Sequence, residues 1–188
     1  MDPTGLRLAT QAEHQRLEQK LDLLSPSLNL EQYVHLLRRF YGFYKGWEPK
    51  VAERVAVDLP ELFDPRRKLP LLETDLLALG SEQPNGLADQ PCLDVLELDT
   101  LAGALGSMYV SEGSTLGGQL LSPHFRKQLH IDAGSGCAFF AGYGDLTFAR
   151  WRAFQAVLRS RPPSDDKAII DSALTTFRLL YDWLPEAD

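Results

Sequence analysis

Apolar positions recur at spacings of three and four along most of the chain, the period of a helix that buries one face. Leu6, Thr10, Leu17, Leu21 and Leu24 line one side of a first segment, which Pro26 stops. Asn29 and Gln32 have the spacing of a capping box and open a second segment. Its apolar face holds Tyr33, Leu37, Phe40 and Tyr44, and Trp47 continues the run. Gly42, Gly46 and Pro49 predict that this helix loosens or ends, with a further piece to about Val57. DLPELFDP, residues 58–65, reads as a turn-rich connection, and Arg67 to Leu79 as another helix, or two, stopped by Gly80. Residues 81–90 read as a loop and residues 91–98 as a short helical lead-in. After a long glycine-containing helix, Asp132 to Gly144 predicts a loop or a short helix with Phe139, Phe140 and Tyr143. Asp145 is placed to cap a helix to about Ser160, with Phe148, Trp151, Phe154 and Leu158 at helical spacing. Arg161-Pro162-Pro163 turns the chain, and Ser164 is placed to cap a last helix. There Ile169, Ile170, Ala173, Phe177, Leu180 and Trp183 face inward. No long run alternates with the period of a strand. The pattern predicts one all-α domain, residues 1–188, built as a multi-helix bundle.

The stretch from Asp99 to His130 departs from an ordinary helix. It keeps helical periodicity yet holds Gly103, Gly106, Gly113, Gly117 and Gly118. Each interior glycine costs about 1 kcal/mol relative to alanine, so something must offset the set. At about 100° per residue, Gly106, Gly113 and Gly117 fall on one face, with Gly103 and Val110 beside them. Such a face admits either a tightly packed neighbouring helix or a flat ligand. Tyr109, Ser111, Glu112, Ser114 and Thr115 place polar groups among the apolar ones. A kink is expected near Gly113-Ser114, and Pro123 is expected to bend or break the helix near its end.

Composition narrows the partners. The chain has 188 residues and a formal net charge of −7, which disfavours nucleic acid and anionic membrane surfaces. Cys92 and Cys137 have neither metal-ligand nor redox-motif spacing. The N-terminus lacks a signal-peptide pattern, and no apolar run reaches the roughly 20 residues needed to span a bilayer. A cytoplasmic protein is the expectation.

The four histidines form no close helical pair, and no Glu-x-x-His repeat suggests a di-iron bundle. Ser111 to Ser114 is not a nucleophile elbow, since no strand precedes it. Gly113 to Gly118 lacks the Gly-Lys-Ser/Thr ending of a phosphate loop. The combination that remains is His14, at the edge of the first helix's apolar stripe, and a glycine-faced helix elsewhere. Together they could sandwich a flat metal macrocycle, the imidazole on the iron and the glycine face over its open side. Arg7 lies two turns before His14 on nearly the same side, placed to meet an anionic edge.

Leu8-Ala9-Thr10, His14 and Leu17-Glu18 resemble the proximal motif of heme oxygenases. Residues 109–119, YVSEGSTLGGQ, are similar to the distal-helix motif of that family in its bacterial form. Phe140, Tyr143-Gly144, Trp151 and Phe154 resemble bacterial members more loosely. The resemblance implies an all-α heme oxygenase-like bundle with a kinked distal helix. It implies O2- and electron-dependent cleavage of heme to biliverdin, carbon monoxide and ferrous iron, at a meso carbon of the heme itself. His14 matches the iron ligand. Gly113 and Gly117 match the distal glycines that leave room for oxygen, and Ser114 stands where the animal enzymes carry an aspartate. Heme contacts are expected from Thr10, Val110 and Phe177, and propionate contacts from Arg7, Tyr109 and Arg150. An external reductant, such as a ferredoxin or a reductase, is implied, and a bilin photoreceptor is one destination for the product. Two other functions fit the same features: a non-catalytic heme carrier or sensor, and a heme-free helical interaction protein whose glycines pack a helix.

Overall fold

Asp2, not the first apolar residue, starts the first helix. The computed structural model describes residues 1–80, 92 and 98–186, and every regular element among them is helical. Helix α1 spans Pro3–Leu21, and the Asp2 carboxylate accepts the N–H groups of Thr4 and Gly5 at 3.2 and 3.0 Å. It ends at Asp22, whose φ of 34° is left-handed, so Leu24 lies beyond the helix and is exposed. Leu6, Thr10 and Leu17 are buried as the stripe predicts.

The capping box of Asn29 and Gln32 is present, with both reciprocal bonds made. The helix it opens, α2, runs unbroken over Leu30–Asp58, through Gly42, Gly46 and Pro49. The expected break is absent because burial outweighs it. Tyr33, Leu37, Tyr44 and Trp47 before the proline, and Val51 and Val55 after it, are all buried. Each such side chain contributes about 1.5–3 kcal/mol, against roughly 3 kcal/mol for an interior proline.

A short helix α3 (Pro60–Phe63), a 3-10 turn (Asp64–Arg66) and α4 (Leu69–Ala78) follow. The predicted loop at 81–90 and most of the lead-in at 91–98 lie outside the described residues. Helix α5 spans Leu101–Gln128 and is capped by Thr100, whose hydroxyl accepts from Gly103 N–H at 3.0 Å. It continues through both Gly113 and Pro123, so the proline does not break it. Ser114, Thr115 and Ser122 bond back to the carbonyls of Ser111, Glu112 and Gly118, a habit that bends helices rather than ending them.

Helix α6 (Ala138–Ala141) carries Phe139 and Phe140 into the core. Asp75, fully buried on α4, accepts the N–H groups of Ala138 and Phe139 at 2.6 and 2.8 Å and so caps α6 from a distance. Helix α7 is Thr147–Arg159; Asp145 sits in the preceding 3-10 turn and does not cap it, and Phe148 is exposed. Helix α8 is Asp166–Trp183, with Ser164 likewise in a 3-10 turn and no side chain capping it. Ile169, Ala173, Phe177 and Leu180 face inward; Ile170 and Trp183 are half-buried.

Helix α5 is the centre of the bundle, packed on α8, α6, α7 and α2. Helix α1 runs alongside α8 in the same direction, from Met1 at Asp166 to Lys20 at Tyr181. A buried polar ladder fixes three helices. Trp47 donates to the Ser107 hydroxyl at 2.7 Å, Thr176 donates to the same oxygen at 2.8 Å, and Tyr44 meets Ser111 at 3.2 Å.

Candidate functional site

The five glycines of α5 have different partners. A side-chain carbon added at Gly106 would fall 2.2 Å from the carbonyl oxygen of Ile169, and one at Gly118 would fall 1.9 Å from that of Phe140. These two let α8 and α6 approach the α5 backbone. At Gly117 an added carbon would meet nothing within 4 Å, and at Gly113 only the Trp151 ring edge at 3.9 Å. The single glycine face expected from sequence is therefore divided. Gly106 packs a helix backbone, while Gly113 faces only the Trp151 ring edge and Gly117 meets nothing within 4 Å.

Helices α1 and α5 both lie along α8, but they barely touch each other. They come together where the Thr10 side chain neighbours the Tyr109 hydroxyl, with the Arg7 charge nearby. Burial raises the Tyr109 hydroxyl above its ordinary pKa, and those two neighbours oppose the shift. One turn beyond Thr10 on α1 is His14; one turn beyond Tyr109 on α5 is Gly113. The His14 side chain is 52% exposed. Its ring rests edge-on against Phe177 of α8, centroids 5.6 Å apart, and its Nε2 lies 3.5 Å from a Glu18 carboxylate oxygen.

Arg7, Thr10, Tyr109, His14 and Phe177 are thus gathered by three helices, with Gly113 and Gly117 on the adjoining stretch of α5. Val110 is buried, Ser114 is exposed, and the Ser114 hydroxyl is committed to the Ser111 carbonyl at 2.8 Å. Arg150 is held elsewhere. Its guanidinium bonds the Pro65 carbonyl and lies 4.3 Å over the Tyr143 ring.

Two neighbours of the site belong to the quoted motifs but carried no assigned role in the sequence. Trp151, on the apolar face of α7, stands beside Tyr109 at 5.6 Å and closest to Gly113. Glu18 follows His14 by one helical turn, a spacing that signals a contact.

Glu112 turns away from the glycine stretch into a buried charged cluster. Its carboxylate accepts from Arg66 Nε at 3.0 Å, Lys68 Nζ at 3.3 Å and Tyr143 O–H at 2.5 Å. Burial loosens the Lys68 proton, and the Glu112 charge opposes that shift. Burial and the same carboxylate push the Tyr143 hydroxyl far up. No signal in the sequence joins residues 66, 68, 112 and 143, which come from three separate stretches.

Among the described residues, no group of three or more His, Cys, Asp and Glu side chains could hold a metal ion, and no helix is long and apolar enough to cross a membrane.

The family model for heme oxygenase matches residues 3–186. A heme oxygenase of Xanthomonas campestris is 31% identical over 137 residues, covering 71% of this chain and 76% of that protein. Heme oxygenase PigA of Pseudomonas aeruginosa is 31% identical over 156 residues, covering 81% and 75%. Among solved structures, heme oxygenase from Leptospira interrogans superposes with a TM-score of 0.80 at 21% identity, over 95% of this chain and 96% of that one. That superposition establishes the shared all-helical fold, and the family match extends over nearly the whole sequence. The chain belongs to the heme oxygenase family, whose members are oxidoreductases that convert heme to biliverdin.

Proposed function

We propose that this chain binds heme between α1 and α5 and, with O2 and electrons from an external donor such as a ferredoxin or a reductase, opens it to biliverdin, carbon monoxide and ferrous iron. The observation that carries this reading is the pairing of an accessible imidazole, His14, with a stretch of α5 whose Gly113 and Gly117 have no helix backbone packed on them. The residues fit the substrate. Glu18, with a carboxylate oxygen 3.5 Å from His14 Nε2, places a negative charge beside the imidazole. Phe177 supports the ring from α8 and supplies an apolar wall. Arg7 and the Tyr109 hydroxyl offer a cation and a donor to the propionates.

Heme supplies the redox chemistry; the chain's part is to bind, orient and leave room. Bare backbone at Gly113 and Gly117 admits a small ligand on the side away from His14. Trp151 borders that space and limits how the flat ring sits. A lone imidazole, with no thiolate, is the donor this site offers. Titrating hemin into the protein, then adding a reductant in air, tests the reading. The expected result is a saturable absorption change that His14→Ala alters, followed by loss of the Soret band and growth of a bilin band. Stable heme binding without bilin assigns the chain to the carrier class instead.

A further inference from the structure

Heme has two unlike edges: both propionates leave one of them, and the opposite edge carries only methyl and vinyl groups. The heme binding proposed above, on which this inference rests, gives the propionates to Arg7 and Tyr109. Around α5, Tyr109, Gly113, Gly117 and Leu120 fall within about 80° of one another. Leu120 lies about 16 Å beyond Tyr109 along the helix axis, and it is 75% exposed. Helix α7 runs antiparallel to this stretch. Gln119 Nε2 donates to the Thr147 hydroxyl at 3.3 Å, and Trp151 stands closest to Gly113. Phe148 lies on α7 between those two contacts, one turn before Trp151 and about 60° round from it. It is 61% exposed. Single exposed apolar side chains are ordinary, and Val57 on α2 and Leu77 on α4 are examples. Leu120 and Phe148 differ from those because they flank one bare stretch of backbone, from two helices, at its end away from Arg7.

We propose that Leu120 and Phe148 clasp the methyl- and vinyl-bearing edge of heme and select among porphyrins by the substituents on that edge. The stretch of α5 then matches the substrate from end to end. A cation and a hydroxyl stand at one end, bare backbone at Gly113 and Gly117 in the middle, and an aliphatic and an aromatic side chain at the other end. Binding covers apolar surface that the heme-free protein leaves in water, which stabilises the complex. A heme turned end for end would press its carboxylates on Leu120 and Phe148 and leave Arg7 without an anion, at the cost of desolvating unpaired charge.

Leu120→Gln and Phe148→Ala are titrated beside wild type with protohemin and with hematohemin, in which hydroxyethyl groups replace both vinyls. Wild type is expected to prefer protohemin. Each substitution is expected to weaken protohemin by about tenfold and hematohemin by much less, so the preference shrinks. Urea midpoints of the heme-free variants are expected to stay near wild type, because both side chains already lie mostly in water. Protohemin affinity equal to wild type in both variants overturns the clasp. A wild type that binds the two hemins alike, or variants that lose at least as much affinity for hematohemin as for protohemin, overturn the placement of the vinyl edge. Wild type that binds neither hemin overturns the heme reading itself, and the clasp with it.

Discussion

Gly117→Ala should stabilise the heme-free protein and impair its activity, while Gly118→Ala, one residue away, should destabilise it. At position 117 the added carbon meets no protein atom within 4 Å, so the substitution adds no clash. It removes the helix penalty of glycine, about 0.8–1.0 kcal/mol in an interior position. For a chain of this size, that raises Tm by about 2–4 °C. At position 118 the carbon falls 1.9 Å from the Phe140 carbonyl oxygen. Ordinary contact is near 3.4 Å, so α6 must retreat by about 1.5 Å, and overpacking of this kind costs about 1–3 kcal/mol or more. Gly106→Ala should behave like Gly118→Ala, with its carbon 2.2 Å from the Ile169 carbonyl oxygen. Thermal unfolding of the three heme-free variants gives the stability order. Bilin formation by Gly117→Ala, and more severely by Gly117→Leu, gives the functional cost. A Gly117→Ala protein that is both more stable and fully active would refute the claim that Gly117 is bare for the sake of a ligand. A Gly118→Ala protein of unchanged stability would refute the packing role of its neighbour.

His14→Ala should abolish the native ferric spectrum, and added imidazole should restore it by filling the gap; an unchanged spectrum removes His14 as the iron ligand. Arg7→Glu should weaken hemin binding or change the biliverdin isomer ratio, because it reverses the charge beside Tyr109; if neither moves, Arg7 only decorates the surface. Ser114→Ala should have little effect on either binding or turnover, since its hydroxyl is spent on the Ser111 carbonyl. Burial pushes the Asp75 carboxyl up to about 6, so its folded pKa exceeds its unfolded one. The associated stability is complete below about pH 4 and declines as pH rises through the folded value. Asp75→Asn should flatten that decline in urea midpoints, whereas Asp75→Ala orphans the N–H groups of Ala138 and Phe139, at about 1–3 kcal/mol each.

The helices were legible because each buries a periodic face, and the inward sets of α1, α2 and α8 follow the spacing almost residue by residue. Their ends were harder. Pro49 and Pro123 read locally as breakers, but packing on both sides of Pro49 carries α2 through, and backbonding hydroxyls accompany α5 past Pro123. Asp145 and Ser164 have the chemistry of caps, yet 3-10 turns take them up instead. His14 and the α5 glycines could be found from residue type and motif. The division of those glycines could not, because what separates Gly117 from Gly118 is the backbone of α6, twenty-odd residues along the chain. The same holds for Glu112, whose partners at 66, 68 and 143 have no shared sequence period. Arg150 shows the converse. Residue type made it a candidate for an anion, and the Pro65 carbonyl and Tyr143 ring occupy it.

The most direct test of the central claim is a count of carbon monoxide and iron released per hemin consumed, with the protein, O2 and an electron donor, and with catalase present to remove free peroxide. Opening of the ring at one meso carbon requires one carbon monoxide and one iron for each heme, with biliverdin in equal amount. That ratio is the expected result, and it should vanish in His14→Ala. Hemin that stays bound and intact, or bleaches without releasing carbon monoxide, would contradict the account.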